Sequence, residues 1–352
     1  MRTKPQRRNR RANNTRAALA SIAIALLLHG CATPPRPPEA EPAPAAKTED
    51  SRVLARDDEY AIVVARADDT AESLAQRYLG DARKGWWITE ANVDAEIRAG
   101  QVVVIPLVQR NRIGVYAEGF QTIPVLCYHR FGNRASKLTV TPAAFNAQMD
   151  YLARSGYRVL TLKELGAFIA GREPVPKKSV VITIDDGYRA TYDIAFPVLK
   201  KYGFHATVFL YSDFVGAGDA LNYAQMKELS ASGLIEIQPH SKTHANLTLR
   251  LPDENDARYR ERLRREVDVP VDVIRERLAT PSYAYAYPYG DVNDTVADLL
   301  SRKGITLGLT VTPGGNPFFA YPYMLRRTMI FGNEDLETFK AKLQTFVRTA
   351  AR

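Results

Sequence analysis

Two carboxylates at the end of an apolar run, with two histidines four residues apart farther along, are the groups in this chain best suited to chemistry. Asp185 and Asp186 follow Val180-Val-Ile-Thr-Ile184 and precede Gly187, and the histidines frame His240-Ser-Lys-Thr-His244. A β-branched run of that length predicts a buried strand, and carboxylates just past its end lie where a parallel sheet opens to solvent. Asp186, His240 and His244 make a ligand set for a divalent metal with one coordination position left open, the arrangement of a hydrolytic centre rather than a structural one. Asp185 is then free to act as a base. Zinc, cobalt, nickel and iron(II) all tolerate such a set, so Zn2+, Co2+, Ni2+ or Fe2+ can fill it.

Other groups share that placement. His129 follows the strand-like residues 125–128, His240 follows 234–238, and Tyr289 follows 283–287. Between them run helical patterns at residues 142–152, 162–170, 190–202, 223–232 and 253–267, with further short strands at 159–160 and 206–211. Repeated βα units predict a parallel sheet or barrel, in which such strand ends share one face and distant residues converge. His205 opens its strand instead, which puts it on the opposite face.

Thr183-Ile-Asp-Asp-Gly187, His240-Ser-Lys-Thr-His244 and Ala286-Tyr-Pro-Tyr-Gly290 resemble the motifs of the polysaccharide deacetylases, the NodB-homology group of carbohydrate esterases. The resemblance covers about 230 residues. It implies an α/β fold, a distorted (β/α) barrel of the NodB-homology type. It also implies a divalent metal, commonly zinc, and hydrolysis of the N-acetyl group of N-acetylglucosamine units. Carried over by position, Asp186, His240 and His244 bind the metal, Asp185 takes a proton from the attacking water, and the backbone N–H of Tyr289 donates to the oxyanion.

Two positions depart from the family pattern. Ala286 stands where an arginine usually orients the catalytic aspartate, and no histidine follows His244 to serve as the late general acid. His129 is therefore the expected acid for the departing amine. Arg189, or Arg326-Arg327, are the candidates for the missing positive partner. This version of the third motif is similar to that of exported deacetylases acting on poly-N-acetylglucosamine.

Composition bounds the rest. With 352 residues, 45% of them hydrophobic, the chain can bury the core of an enzyme domain plus a smaller unit. Its net charge of +9 owes seven units to Arg2, Lys4, Arg7, Arg8, Arg10, Arg11 and Arg16. Without these the charge is +2, which gives no electrostatic case for nucleic acid. The basic stretch leads into an apolar run at 17–28, the layout of a secretory signal and too short to span a bilayer. Leu28-His-Gly-Cys31 resembles a bacterial lipobox, which implies lipidation of Cys31, with Ala32 pointing to outer-membrane sorting on the periplasmic side; an ordinary cleaved signal is the alternative. Cys127 then remains alone in an apolar run, a small buried hydrophobe without a disulfide partner.

Residues 31–58, with Pro34, Pro35, Pro37, Pro38, Pro42 and Pro44, predict an extended tether. Residues 59–109 give a small α+β pattern, β-α-α-β: strand 60–64, a helix capped by Asp68-Asp69-Thr70, a helix around Trp86, Trp87 and Ile88, and a closing strand at 100–106. The order of Asp69-Thr70, Tyr78, Asn92, Gly100-Gln101 and Ile105-Pro106 resembles a LysM domain, which implies docking on peptidoglycan; a plain spacer with its tryptophans in the core is the other reading. The expected organisation is thus a signal at 1–30, the tether, the LysM-like unit and a deacetylase domain at 120–352. The expected function is metal-dependent N-deacetylation of a cell-envelope glycan, peptidoglycan or poly-N-acetylglucosamine, by an exported lipid-anchored protein. The alternative is an envelope lipoprotein that binds glycan without turning it over.

Overall fold

Strand 179–184 is the hub around which the larger part of the chain is arranged. The structure is a computed structural model that describes residues 52–93 and 96–349. The signal, Cys31 and the tether up to residue 51 lie outside the described residues.

Every side chain of Ile123–Tyr128 and Ser179–Ile184 is buried, as expected of parallel strands covered on both faces. The two run parallel with Val181 opposite Val125 and Ile184 opposite Tyr128. Ala206–Leu210 adds to the other side of the hub, and Ile235–Pro239 continues the parallel ladder. Ala284–Ala286 pairs in parallel with Leu307–Leu309. The ring closes through Leu325, which exchanges hydrogen bonds with Gly308 and Thr310, and through Thr328–Met329, parallel to Leu126–Cys127. The expected distorted barrel follows.

The alternation of side chains sorts this barrel into two compartments. Leu126, Tyr128, Val180, Ile182, Ile184, Val208 and Ile237 point outward into a core shared with the surrounding helices. Val125, Val181, Phe209, Ala284, Ala286, Leu307, Leu309 and Leu325 fill the interior. By the same period of two, Cys127 and His129 on one strand, and Thr183 and Asp185 on the next, stack above Val125 and Val181 on the inner side. The interior is apolar at its base and becomes polar towards the strand ends.

One seam of the ring lacks a backbone ladder. Between Ile235–Pro239 and Ala284–Ala286, the buried side chain of Gln238 stands in: its Oε1 accepts from the N–H of Tyr283 (3.0 Å) and Ala284 (3.1 Å), and its Nε2 donates to Pro281 O (3.3 Å).

Helices begin where the caps place them. Thr141, Thr161 and Asn222 cap helices Pro142–Arg154, Leu162–Ile169 and Tyr223–Ala231. The charged helix expected at 253–267 runs over Asp256–Leu278 and continues through Pro270. A proline inside a helix leaves the carbonyl four residues back without its donor. Here that carbonyl belongs to Glu266, and the Tyr285 hydroxyl donates to it (3.4 Å).

The amino-terminal unit holds the expected helices Ala71–Leu79 and Gly85–Ala91 between strands Tyr60–Val64 and Val102–Pro106. Its sheet has a further strand, Arg52–Arg56, in what was read as the end of the tether. Asp57 makes this hairpin: its carboxylate accepts from Glu59 N and Tyr60 N, while its own N–H donates to Tyr60 O. Asn92, expected in a turn, binds Ile88 O and both backbone groups of Val104, tying the second helix to the sheet.

Replacing Gln238 by Leu should leave two buried N–H groups unpaired and lower stability by about 2–4 kcal/mol in urea unfolding. A loss below about 0.5 kcal/mol would show that the seam is closed by other means.

Candidate metal centre and active site

The two aspartates diverge because their backbones do. Asp185 keeps the strand's inward direction and is 1% exposed, its N–H still donating to Tyr128 O at 2.8 Å. Asp186 turns to φ 72° and Gly187 to φ 81°. The turn is tight: a Cβ on Gly187 would stand 2.9 Å from Leu210 Cβ. Asp186 is thereby aimed at the histidine loop and Asp185 into the barrel.

Asp186, His240 and His244 offer one ligand atom each, all within 4.8 Å of one another. Nε2 of His244 lies 3.3 Å, and Nε2 of His240 3.8 Å, from Asp186 Oδ1. Nδ1–H of His240 donates to Ala286 O at 2.7 Å. A carbonyl only accepts, so the proton sits on Nδ1 and the Nε2 lone pair is free to ligate. Burial pushes this imidazole below its ordinary range, although Asp185 and Asp186 oppose the shift. Two imidazole nitrogens and a carboxylate oxygen in one small space fit a divalent transition metal.

The positive partner of Asp185 is Arg327. The pair is a two-point fork: NH1 to Oδ1 at 2.6 Å and NH2 to Oδ2 at 2.8 Å, with the arginine 0% exposed. Two further donors are used, Nε on Thr310 O (2.8 Å) and NH1 on Thr183 Oγ1 (3.3 Å). Burial alone would raise the carboxyl pKa of Asp185, but the guanidinium, with His240 and His129, holds it well below the usual carboxylate range. Burial likewise works against the charge of Arg327, and Asp185 outweighs it. The other two candidates are elsewhere: Arg189 pairs with Asp193 at the surface, and Arg326 is exposed with its guanidinium near Pro313 O.

His129 joins the same cluster. It lies with Cys127 and Asp185 in a group whose ligand atoms are within 4.8 Å, and its Nδ1 is buried without a hydrogen-bond partner. Cys127 is fully buried with Sγ 3.5 Å from Asp185 Oδ2, and burial drives its thiol well above the ordinary value. His205, by contrast, precedes Ala206–Leu210 at the far end of the barrel.

Tyr289 stands at the mouth, 61% exposed, its ring 4.9 Å from that of His244. Tyr211 flanks His244 from another side at 5.3 Å and stacks on Phe214, which meets Tyr188. Aromatic faces thus line the approach. Four of the six non-glycine residues with positive φ among the described residues are here: Asp186, Ser241, His244 and Tyr289. Concentration of costly backbone at one place is typical of functional sites.

The ion pair has a pH signature. Because the pKa of Asp185 is depressed by folding, its contribution to stability is present above the unfolded value near 4 and is lost as pH falls through the lower folded value. In Arg327→Met the carboxylate is buried unpaired, so the variant should lose about 3–5 kcal/mol at pH 7. That deficit should narrow towards pH 4, as the raised carboxyl takes up a proton. Thermal unfolding against pH measures both, and a pH-independent deficit would contradict the assignment.

Known proteins resemble this chain over its larger part. A family profile described as polysaccharide deacetylase matches residues 172–308. The chain is 30% identical over 212 residues, 57% of its own length and 70% of the relative's, to the poly-β-1,6-N-acetyl-D-glucosamine N-deacetylase of Staphylococcus epidermidis. Among solved structures, the deacetylase PplD of Streptococcus pyogenes, in complex with acetate, superposes with a TM-score of 0.58 at 26% identity, covering 63% of this chain and 98% of that one. IcaB of Ammonifex degensii gives a TM-score of 0.58 at 28% identity, covering 64% and 99%. The chain belongs to the polysaccharide deacetylase family.

Proposed function

We propose that this chain is a metal-dependent N-deacetylase of an N-acetylglucosamine polysaccharide in the cell envelope. The observation that carries the reading is the placement of Asp186, His240 and His244 around one small space beside the Asp185–Arg327 pair. An ion held by those three ligands supplies Lewis-acid polarisation of the acetamide carbonyl. The chain's own groups do the rest. Asp185, kept ionised by Arg327, accepts a proton from the water whose oxygen attacks the carbonyl carbon. The N–H of Tyr289, turned by its positive φ, is the donor assigned to the developing oxyanion. As the C–N bond breaks, His129 passes a proton to the departing nitrogen, so acetate and a free amine leave.

The substrate assigned is poly-β-1,6-N-acetylglucosamine, the polymer named for the Staphylococcus epidermidis relative. Pyranose faces suit the aromatic approach of Tyr188, Phe214, Tyr211 and Tyr289. A LysM-like role for residues 59–109 favours peptidoglycan as the docking surface, with Cys31 lipidated and the protein anchored at the outer membrane. The reading as a glycan binder without catalysis rests on the missing motif arginine and late histidine; the pairing of Arg327 with Asp185 speaks against the first ground, and the role proposed for His129 answers the second.

Acetate release should be measured side by side on β-1,6-linked oligomers and on purified peptidoglycan. Turnover of the oligomers is expected with zinc, and it should vanish with a chelator and in Asp185→Asn. No acetate from either glycan with zinc, cobalt, nickel or iron would sink the enzyme reading. His129→Ala should cut turnover by about 10²–10⁴ with metal content intact; unchanged turnover would remove His129 from the mechanism.

A further inference from the structure

The loop between the two histidines holds a backbone that it does not adopt by itself. Ser241 and His244 both lie at positive φ, 74° and 61°, without being glycine. Within the loop, Ser241 Oγ accepts from His244 N at 2.9 Å. The backbone N–H groups of the two residues between them converge on a single carboxylate. Lys242 N–H (3.0 Å) and Thr243 N–H (2.9 Å) both donate to Glu266 Oε2, and the Thr243 hydroxyl donates to Oε1 (2.8 Å). Glu266 is 4% exposed and comes from helix Asp256–Leu278, outside the barrel.

The position of Glu266 is itself fixed at a break in its helix. Pro270 removes the donor that would return to Glu266 O, and Tyr285 supplies a hydroxyl in its place. Tyr285 is also a neighbour of Ser241. The next residue, Ala286, accepts Nδ1–H of His240. One short strand therefore orients His240 directly and the carrier of the His244 loop indirectly.

We infer that Glu266 is a positioning residue for His244, holding the αL turns of residues 241–244 so that its Nε2 meets Asp186. The inference rests on Asp186, His240 and His244 being a metal site. Glu266 touches no reacting atom; it acts through Lys242 and Thr243. Partners of this kind set ligand direction, and their loss typically weakens metal affinity ten- to a hundredfold.

Zinc affinity of the full chain, by competition with a chromophoric chelator, and the visible spectrum of the cobalt-substituted protein are the readouts. Glu266→Met keeps length and volume but has no acceptor, and should weaken zinc by ten- to a hundredfold and alter the cobalt bands. Glu266→Gln still accepts both amides and should recover most of the affinity. Thr243→Val removes one of the three bonds and should give a smaller loss in the same direction, which decides the matter if Glu266→Met does not fold. Wild-type affinity and cobalt spectrum in these variants, whatever happens to their melting temperatures, would overturn the inference. A wild-type chain that takes up neither zinc nor cobalt fails the metal reading itself, and the positioning role with it.

Discussion

A charged pair sealed inside the barrel is the constraint to which the rest of the site answers. Asp185 and Arg327 are 1% and 0% exposed, and either charge alone at that depth would be strongly destabilising. Together they form a two-point fork, and two further donors of the guanidinium end on Thr183 and Thr310. The pair keeps one carboxylate ionised next to a second, Asp186, which faces the histidines. Two adjacent acids thus hold different neighbours: one a guanidinium, the other a pair of imidazole nitrogens. This separation gives neighbouring, chemically identical side chains different electrostatic surroundings.

Much of this is legible in the sequence, and what is not has physical reasons. Asp185, His240 and His129 are legible because each follows a strand and period-two alternation carries them inward, whereas Asp186 is redirected by the turn that follows Asp185. Arg327 was one of three arginines with equal claims, since local sequence does not tell a buried guanidinium from an exposed one. It also lies before Thr328–Met329, a strand too short to register as a pattern. Glu266 gave no signal, because an acid in a charged helix reads as solvated surface. The helix itself was cut short at residue 267, since Pro270 reads as a stop; a hydroxyl from a different strand cancels that penalty. The extra strand Arg52–Arg56 was hidden for a similar reason: all five side chains are exposed, and its partner supplies the pattern it lacks.

The site is therefore built from unfavourable local choices that distant groups stabilise. Asp186, Ser241, His244 and Tyr289 each accept a backbone conformation costing of order 1–3 kcal/mol. Glu266 supports the loop from outside the barrel, Ala286 O fixes the imidazole of His240, and Gln238 supplies the hydrogen bonds of a missing ladder just below. Four of the six positive-φ non-glycine residues among the described residues gather at the rim, where the strands end and the polar interior begins.

The arginine that completes the pair is 142 residues downstream of its aspartate, just before one of the last strands of the barrel. A ribosome delivers Asp185, Asp186, His240 and His244 well before it delivers Arg327. Until that late segment docks, closing the barrel would bury an uncompensated carboxylate, so a premature ring is penalised by that charge. Closure of the ring and compensation of its buried carboxylate are in this way one event, supplied by the carboxy-terminal part of the chain.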